Sequence, residues 1–126
     1  MYKTQAEARA YFAALKPLVA GATHCEIVIA PAFTALAAAA EAVAGSAISI
    51  AAQNVHWATE GAFTGEVSPR MLIECGCQWV IIAHSERRQF FGETDETANR
   101  KVRAALAADL LPIVCVGELL SEREAA

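Results

Sequence analysis

The sequence predicts an α/β fold in which helices cover a parallel β-sheet. The first observation is alternation, because short apolar runs and helical patterns follow one another along all 126 residues. The second is that the apolar runs have no polar face, which is typical of parallel strands buried on both sides. The third is that polar residues follow the runs directly. In sheets built from strand–helix–strand units, functional side chains gather at this carboxyl edge.

The first helix is predicted by its N-terminal residues and its periodicity. Thr4 and Glu7 have the spacing of a capping box, and apolar residues follow at helical intervals as far as Leu18. Because Pro17 interrupts the pattern late, we expect this helix to end between Leu15 and Val19.

The next elements repeat the order of strand and helix. The run CEIVIAP predicts a first strand that stops at Pro31. A helix is predicted from Thr34 to Gly45, since glycine commonly follows a helix C-terminus. The second strand is expected over Ser46 to Ala52. The polar segment from Gln53 to Val67 shows no period and is predicted to be a long loop.

The second half of the chain adds two more strands. Ser68 and Pro69 have the pattern of an N-cap followed by the first helical position. The run QWVIIA predicts the third strand, and Thr94 to Asp109 has the pattern of an amphipathic helix. LPIVCVG predicts the fourth strand, and a last helix is expected from Ser121. Residues 1–126 are therefore expected to form one domain.

Composition excludes several classes of partner. A formal net charge of -4 argues against nucleic acid and anionic membranes, because both bind basic patches. Lys3, Glu7 and Arg9 interrupt the first segment, which therefore lacks the apolar core of a signal peptide. The alanine-rich stretch from Ala30 to Ala52 is a poor membrane span because it contains Glu41. A cytoplasmic location is the expectation.

The four cysteines do not have the spacing of a metal site. Cys75 and Cys77 lie close together, but no histidine or further cysteine follows near them to complete zinc coordination. We therefore expect no metal, and we expect all four cysteines to act as small buried apolar residues.

The segment 79–93, WVIIAHSERRQFFGE, is the strongest candidate for a site. Its strand ends at His84, so a rigid element would hold the imidazole, either as an electrophile or acid–base catalyst or simply as a cap of the strand. The charged residues that follow suit a site at the strand end or an ordinary solvated loop. Ser85 lacks the GxSxG setting of a serine nucleophile.

Two other polar stretches also leave alternatives open. Gln53 and Asn54 end their strand on uncharged amides, which suits either a satisfied turn or donors that order neighbouring active-site groups. GAFTGEVSPR has flanking glycines but lacks GxGxxG and a P-loop lysine. A protruding loop that docks on another subunit explains Phe63 and Thr64 better than a phosphate cradle does.

Four segments of this chain together resemble the triosephosphate isomerases. The segments AAQNVHW, GAFTGEVSP, VIIAHSERRQFFGETDE and PIVCVGE occur in that family's order and spacing, and the resemblance covers essentially the whole chain. It implies a TIM (β/α)₈ barrel fold, here an incomplete barrel with about four parallel strands and their helices. It also implies the interconversion of dihydroxyacetone phosphate and glyceraldehyde 3-phosphate in glycolysis and gluconeogenesis, without a cofactor.

The resemblance implies roles for four residues around the reaction. His84 matches the family's neutral histidine, which polarises the substrate carbonyl and shuttles protons between its oxygens; this enzyme is the standard example of such a histidine. Ser85 matches the serine that holds the catalytic carboxylate in its open position. Glu86 matches the carboxylate beside the catalytic lysine, and Cys115 matches a cysteine packed near the base.

The resemblance also implies a homodimer for the full-length enzyme. Its expected contacts are the loop that inserts into the partner subunit, the arginine that meets that loop's glutamate, and two buttressing amides. The matching residues are Thr64, Gly65, Glu66, Arg87, Gln53 and Asn54.

The sequence departs from the family's pattern in two ways. Ala83 stands where the family typically has glycine, and we expect the extra methyl group to be tolerated. A complete barrel takes about 250 residues, so Met1 is expected to be an internal methionine of a longer enzyme. The catalytic lysine and glutamate would lie outside the segment, and the isolated chain is predicted to be inactive. The alternatives are a non-catalytic half-barrel that assembles with itself or with a complementary fragment, and a different phosphate-handling enzyme that uses Glu86 or Glu118 as its base.

Overall fold

The computed structural model describes all 126 residues and confirms the alternation of strands and helices. One helix precedes the first strand, and a short 3₁₀ turn over Phe33–Ala35 leads into the second helix. The elements in chain order are α1 (Gln5–Val19), β1 (Ile27–Ile29), α2 (Leu36–Val43), β2 (Ile48–Ala52), α3 (Pro69–Glu74), β3 (Trp79–Ile82), α4 (Ser85–Phe90), α5 (Asp95–Ala107), β4 (Leu111–Val114) and α6 (Leu120–Ala125).

The four strands form one parallel sheet in the order β1-β2-β3-β4. Ile27 of β1 pairs with Ile48 of β2, and Ala52 of β2 pairs with Val80 of β3. All four residues of β3 pair with β4. Because every strand runs in the same direction, their carboxyl ends meet at one edge, as the sequence predicted.

The helix starts follow the predicted capping residues. Thr4 accepts the Glu7 backbone N–H, and the Glu7 carboxylate accepts the Thr4 N–H in return. These hydrogen bonds to its charged form lower the pKa of Glu7. Ser68 accepts the Met71 N–H with Pro69 at the first helical position, and Thr94 caps α5. Helix α1 ends at Val19, inside the predicted range, so Pro17 lies in its last turn.

One helix was not predicted from the sequence. Residues Ser85–Phe90 form α4, a short helix of six residues where the sequence suggested a charged loop. His84 is its N-cap. No residue of α4 is buried, so the helix lacks the apolar stripe from which a helix is normally recognised.

The hydrophobic core lies between the sheet and its covering helices. Its largest fully buried side chains include Phe12 of α1, Leu36 of α2, Ile50 of β2 and Ile82 of β3. The residues of β4, which is an edge strand, are mostly exposed. The fourth strand therefore forms as predicted but remains largely uncovered.

The expectation of four buried cysteines is wrong for three of them. Only Cys77 is buried, whereas Cys25 is exposed and Cys75 and Cys115 are partly exposed. Burial and the neighbouring Cys75 thiol raise the pKa of Cys77 to about 11, so it is a neutral thiol at pH 7. No helix of the chain is long and apolar enough to cross a bilayer.

Candidate functional site

The predicted site residues meet at the carboxyl edge of the sheet. Gln53 and Asn54 directly follow β2, and His84 follows β3 after one residue. Since β2 and β3 are paired parallel neighbours, the amide pair and the imidazole lie at the same edge. The opposite edge, where the strands begin, carries neither group.

The His84 imidazole is fixed by a hydrogen bond to the backbone of α4. Its Nδ1 accepts the Glu86 N–H at 3.3 Å. An Nδ1 that accepts a hydrogen bond carries no proton, so the neutral ring has its proton on Nε2. The side chain is 44% exposed. The ring is therefore held at one end and can present an Nε2–H donor at the open edge.

The nearby Glu86 carboxylate does not change the preferred tautomer of His84. Its Oε2 lies 3.7 Å from His84 Nδ1, farther than the backbone N–H of the same residue. The carboxylate is also largely exposed to water, which weakens an ion pair. Because Nδ1 accepts the Glu86 N–H, the hydrogen bond favours the tautomer of the neutral ring with its N–H at Nε2.

The two amides after β2 are held within the chain in different ways. The Gln53 Nε2 donates to the Ala30 carbonyl at 2.8 Å and so ties the ends of β1 and β2 together. Gln53 also borders a cavity of about 340 Å³ at the end of β1. Asn54 is buried and accepts a hydrogen bond from Lys101 Nζ at 2.8 Å.

A buried ionic network lies behind the histidine. Lys101 Nζ lies 2.6 Å from Glu93 Oε1, and Arg87 Nε donates to Glu93 Oε2 at 3.1 Å. Lys101 and Glu93 are almost completely buried. Buried charges are costly unless they are paired, and here the Glu93 carboxylate is paired with both Lys101 and Arg87. The network joins the end of β2 to α4 and α5.

The loop between β2 and α3 projects Thr64, Gly65 and Glu66 into solvent. The Glu66 N–H donates to the Phe63 carbonyl at 2.9 Å and closes a tight turn. Gly65 has φ +89° at this turn, a conformation that favours glycine. The hydrogen bond from His56 N to the Val67 carbonyl closes the base of the loop. The predicted docking loop is thus a compact, exposed projection.

The remaining predicted residues lie around the same edge. Ser85 is exposed at the first position of α4. The Cys115 N–H donates to the Ile82 carbonyl at 2.9 Å, which extends the β3–β4 pairing beside the site. Arg87 meets Glu93 of its own chain, so an intersubunit role for Arg87 stays a prediction.

Sequence reasoning missed three residues that the fold makes prominent. Lys101 is buried, although lysine is normally exposed on a helix. Arg88 donates to the Ala83 carbonyl at the strand end. His56 is buried in the loop, with its Nδ1 3.9 Å from Glu66 Oε2 and its ring between Trp57 and Phe63. The burial of His56 could have been suspected from the sequence, because two aromatic residues, Trp57 and Phe63, lie in the same loop.

The fold has the architecture of half a TIM barrel. The crystal structure of triosephosphate isomerase from Bartonella henselae matches it with a TM-score of 0.93 and 36% identity, over 99% of this chain and 52% of that chain. The predicted class of fold, an incomplete barrel with four parallel strands, is confirmed.

The sequence comparisons assign the family within this class. The family model of triosephosphate isomerase matches residues 1–126. The triosephosphate isomerase of Citrifermentans bemidjiense is 59% identical over 125 residues, and that of Solibacter usitatus is 61% identical over 124. The chain belongs to the triosephosphate isomerase family. The alignments include 98–99% of this chain but only 50% of each of these two relatives. The chain therefore spans about half the length of the curated relatives it matches.

Proposed function

We propose that residues 1–126 are the part of a triosephosphate isomerase that supplies its carbonyl-polarising histidine. The whole enzyme would interconvert dihydroxyacetone phosphate and glyceraldehyde 3-phosphate in cytoplasmic glycolysis and gluconeogenesis. The observation that carries this proposal is the His84 imidazole at the carboxyl edge, with Nδ1 accepting a backbone N–H. Family membership supports the substrate class.

The chemistry requires a hydrogen-bond donor where negative charge develops. A base removes a proton from the carbon next to the carbonyl, and the electrons move onto the carbonyl oxygen to give an enediolate. His84 Nε2–H would donate to that oxygen as its charge grows, then transfer protons between the two substrate oxygens. A neutral imidazole suits this step because its ring N–H is weakly acidic, like the enediol hydroxyl that forms when it protonates the enediolate oxygen.

The neighbouring residues take supporting roles in this proposal. Ser85 would hold the catalytic carboxylate in its open position, and Glu86 would stand beside the catalytic lysine. Cys115 would pack near the base. That base and lysine would come from other parts of the enzyme. Residues 1–126 would therefore form a single partial TIM-barrel domain that is inactive alone.

The same proposal includes a homodimer. Thr64, Gly65 and Glu66 would insert into the partner subunit, and Arg87 would meet the partner's copy of the loop glutamate. The exposure of this loop supports the assignment. Gln53 and Asn54 would buttress the contact from below, since both are anchored by hydrogen bonds at the end of β2.

A chimeric enzyme tests the proposed function directly. Residues 1–126 would replace the matching segment of the Citrifermentans bemidjiense enzyme, and isomerisation would be followed in a coupled assay. We expect turnover from the chimera and none above background from residues 1–126 alone. His84→Gln should reduce kcat by about 10²- to 10⁴-fold, because it removes a positioned acid–base group.

His24→Gln is the matched control, because His24 is an exposed histidine that precedes β1 and so lies on the side of the sheet where the strands begin. It should leave turnover within about twofold of the unmodified chimera, as expected for an exposed surface position. A fully active His84→Gln chimera would contradict the role of His84. Turnover by the isolated chain would contradict the need for the other segments.

A second candidate function is supported by the open edge of β4. Leu111, Ile113 and Val114 are exposed on this strand, and unpaired strands with apolar residues promote association. On this reading the chain is a half-barrel that assembles with itself or with a complementary fragment. Sedimentation of residues 1–126 across a concentration series, combined with the chimera assay, separates the two. Association of the isolated chain together with an inactive chimera favours the second, and an active chimera favours the first.

A further inference from the structure

The residue before the candidate catalytic histidine has an unusual backbone. Ala83 has φ +62° and is 1% exposed. Residues with a Cβ disfavour this left-handed region because the Cβ approaches the following carbonyl oxygen. Such a conformation persists only where surrounding contacts impose it. The contacts around Ala83 therefore decide how His84 leaves the strand.

The carbonyl groups of this turn show which contact is decisive. The Ile82 carbonyl accepts the Cys115 N–H of the sheet. The His84 carbonyl accepts the backbone N–H groups of Arg87 and Arg88 within α4. Between them, the Ala83 carbonyl accepts a hydrogen bond from Arg88 Nε at 3.0 Å. The Ala83 carbonyl thus accepts its hydrogen bond from a side chain instead of from a neighbouring strand.

The guanidinium of Arg88 is also tied to the start of α5. Its Nη1 donates to Asp95 Oδ1 at 2.8 Å. The Asp95 side chain is 95% exposed and Arg88 is 34% exposed, so water competes with this ion pair. The contact with the buried backbone carbonyl of Ala83 is the better protected of the two. Asp95 aligns the guanidinium, while the hydrogen bond to Ala83 stabilises the turn.

This turn determines the direction of the imidazole. His84 follows Ala83 with φ −55° and ψ 144°, the extended backbone that lets its Nδ1 cap Glu86. Rotation of Ala83 to negative φ would carry the imidazole away from that N–H. We propose that Arg88 is a positioning residue whose hydrogen bond to Ala83 keeps the turn left-handed and the His84 proton on Nε2. The catalytic meaning of this device rests on the proposed function.

A mutant cycle in the 126-residue chain tests the proposal. The variants are Arg88→Ala, Ala83→Gly and the double variant, because glycine adopts the left-handed region without the Cβ penalty. The readouts are the ¹⁵N resonances of the His84 imidazole, assigned with His84→Gln, and hydrogen exchange of the Glu86 amide. Arg88→Ala should mix the two His84 tautomers and accelerate Glu86 exchange about tenfold, the scale set by a strained backbone residue.

The double variant separates positioning from general structural support. If Arg88 acts through the Ala83 turn, the glycine should restore the Nε2–H tautomer and bring Glu86 exchange within about threefold of Ala83→Gly alone. A double variant as disturbed as Arg88→Ala would overturn the proposal. So would an Arg88→Ala chain with unchanged His84 resonances and Glu86 exchange.

Two controls complete the design. Arg100→Ala removes an arginine that pairs with Glu96 on α5 and does not contact the turn, so it should leave the His84 resonances unchanged. Asp95→Asn keeps the hydrogen bond from Arg88 Nε and should have at most a small effect; an effect as large as that of Arg88→Ala would transfer the role to the ion pair. None of these readouts requires turnover. If the variants of the 126-residue chain behave as expected and the chimera is inactive, only the proposed function is refuted.

Discussion

The adjacent strands β3 and β4 are alike in sequence and differ in burial. Trp79–Ile82 and Leu111–Val114 are both apolar and pair with each other along their full lengths. Val80 and Ile82 are completely buried, whereas Leu111 is 48% exposed. Strand β3 has a paired neighbour on both edges, and β4 has one on a single edge. Burial therefore follows position in the sheet and not apolar composition alone.

This difference bears on the site because His84 follows the covered strand. The carboxyl end of β3 leads through the buried Ala83 into α4, whose Arg87 belongs to the network with Glu93 and Lys101. The carboxyl end of β4 leads into exposed residues from Val116 to Leu120. A rigid support suits a group that must hold one orientation, so the imidazole lies on the better-packed half of the edge.

Truncation of a core side chain should distinguish β3 from β4 most strongly. Ile82→Ala should lower the free energy of unfolding by about 3–4 kcal/mol, because it empties a fully buried position. Ile113→Ala on β4 should cost less than about 1 kcal/mol, since that side chain is already 37% exposed. Urea denaturation followed by circular dichroism measures both. Equal losses would show that β4 is as well covered as β3.

A somewhat smaller effect is expected behind the site. Glu93→Gln leaves the Lys101 ammonium buried without its counter-charge and should cost about 2–3 kcal/mol. Glu96→Gln is the matched control, because Glu96 pairs with Arg100 in solvent and should cost less than about 0.5 kcal/mol. The same denaturation experiment compares them. If Glu93→Gln proved as mild as its control, the buried network would not stabilise this half of the edge.

Much of the fold could be predicted because its signals are local. Thr4 and Ser68 cap their helices as the sequence indicated, and the apolar runs became strands. Helix α4 was missed because six polar and charged residues without an apolar period carry no helical signal. The exposure of β4 was not predicted, because it depends on tertiary neighbours that a single sequence does not reveal.

The position of the candidate site could be predicted from the sequence, but the contacts that hold its residues in place could not. His84 and the amide pair were placed at one edge by the order of the strands alone. The burial of Lys101 was not predictable, because lysine on a helix is normally exposed and its partners Asn54 and Glu93 come from other elements. The left-handed turn at Ala83 was hidden for a similar reason, since alanine itself favours negative φ.

We expect His84 to donate a hydrogen bond to the carbonyl oxygen of a bound triose phosphate. The most direct measurement is the infrared carbonyl stretch of dihydroxyacetone phosphate bound to the chimeric enzyme. A polarised carbonyl has a weaker C=O bond, so its band should lie at lower wavenumber than in water, and His84→Gln should abolish that shift. A band that is equally shifted in the His84→Gln chimera would show that His84 does not polarise the carbonyl.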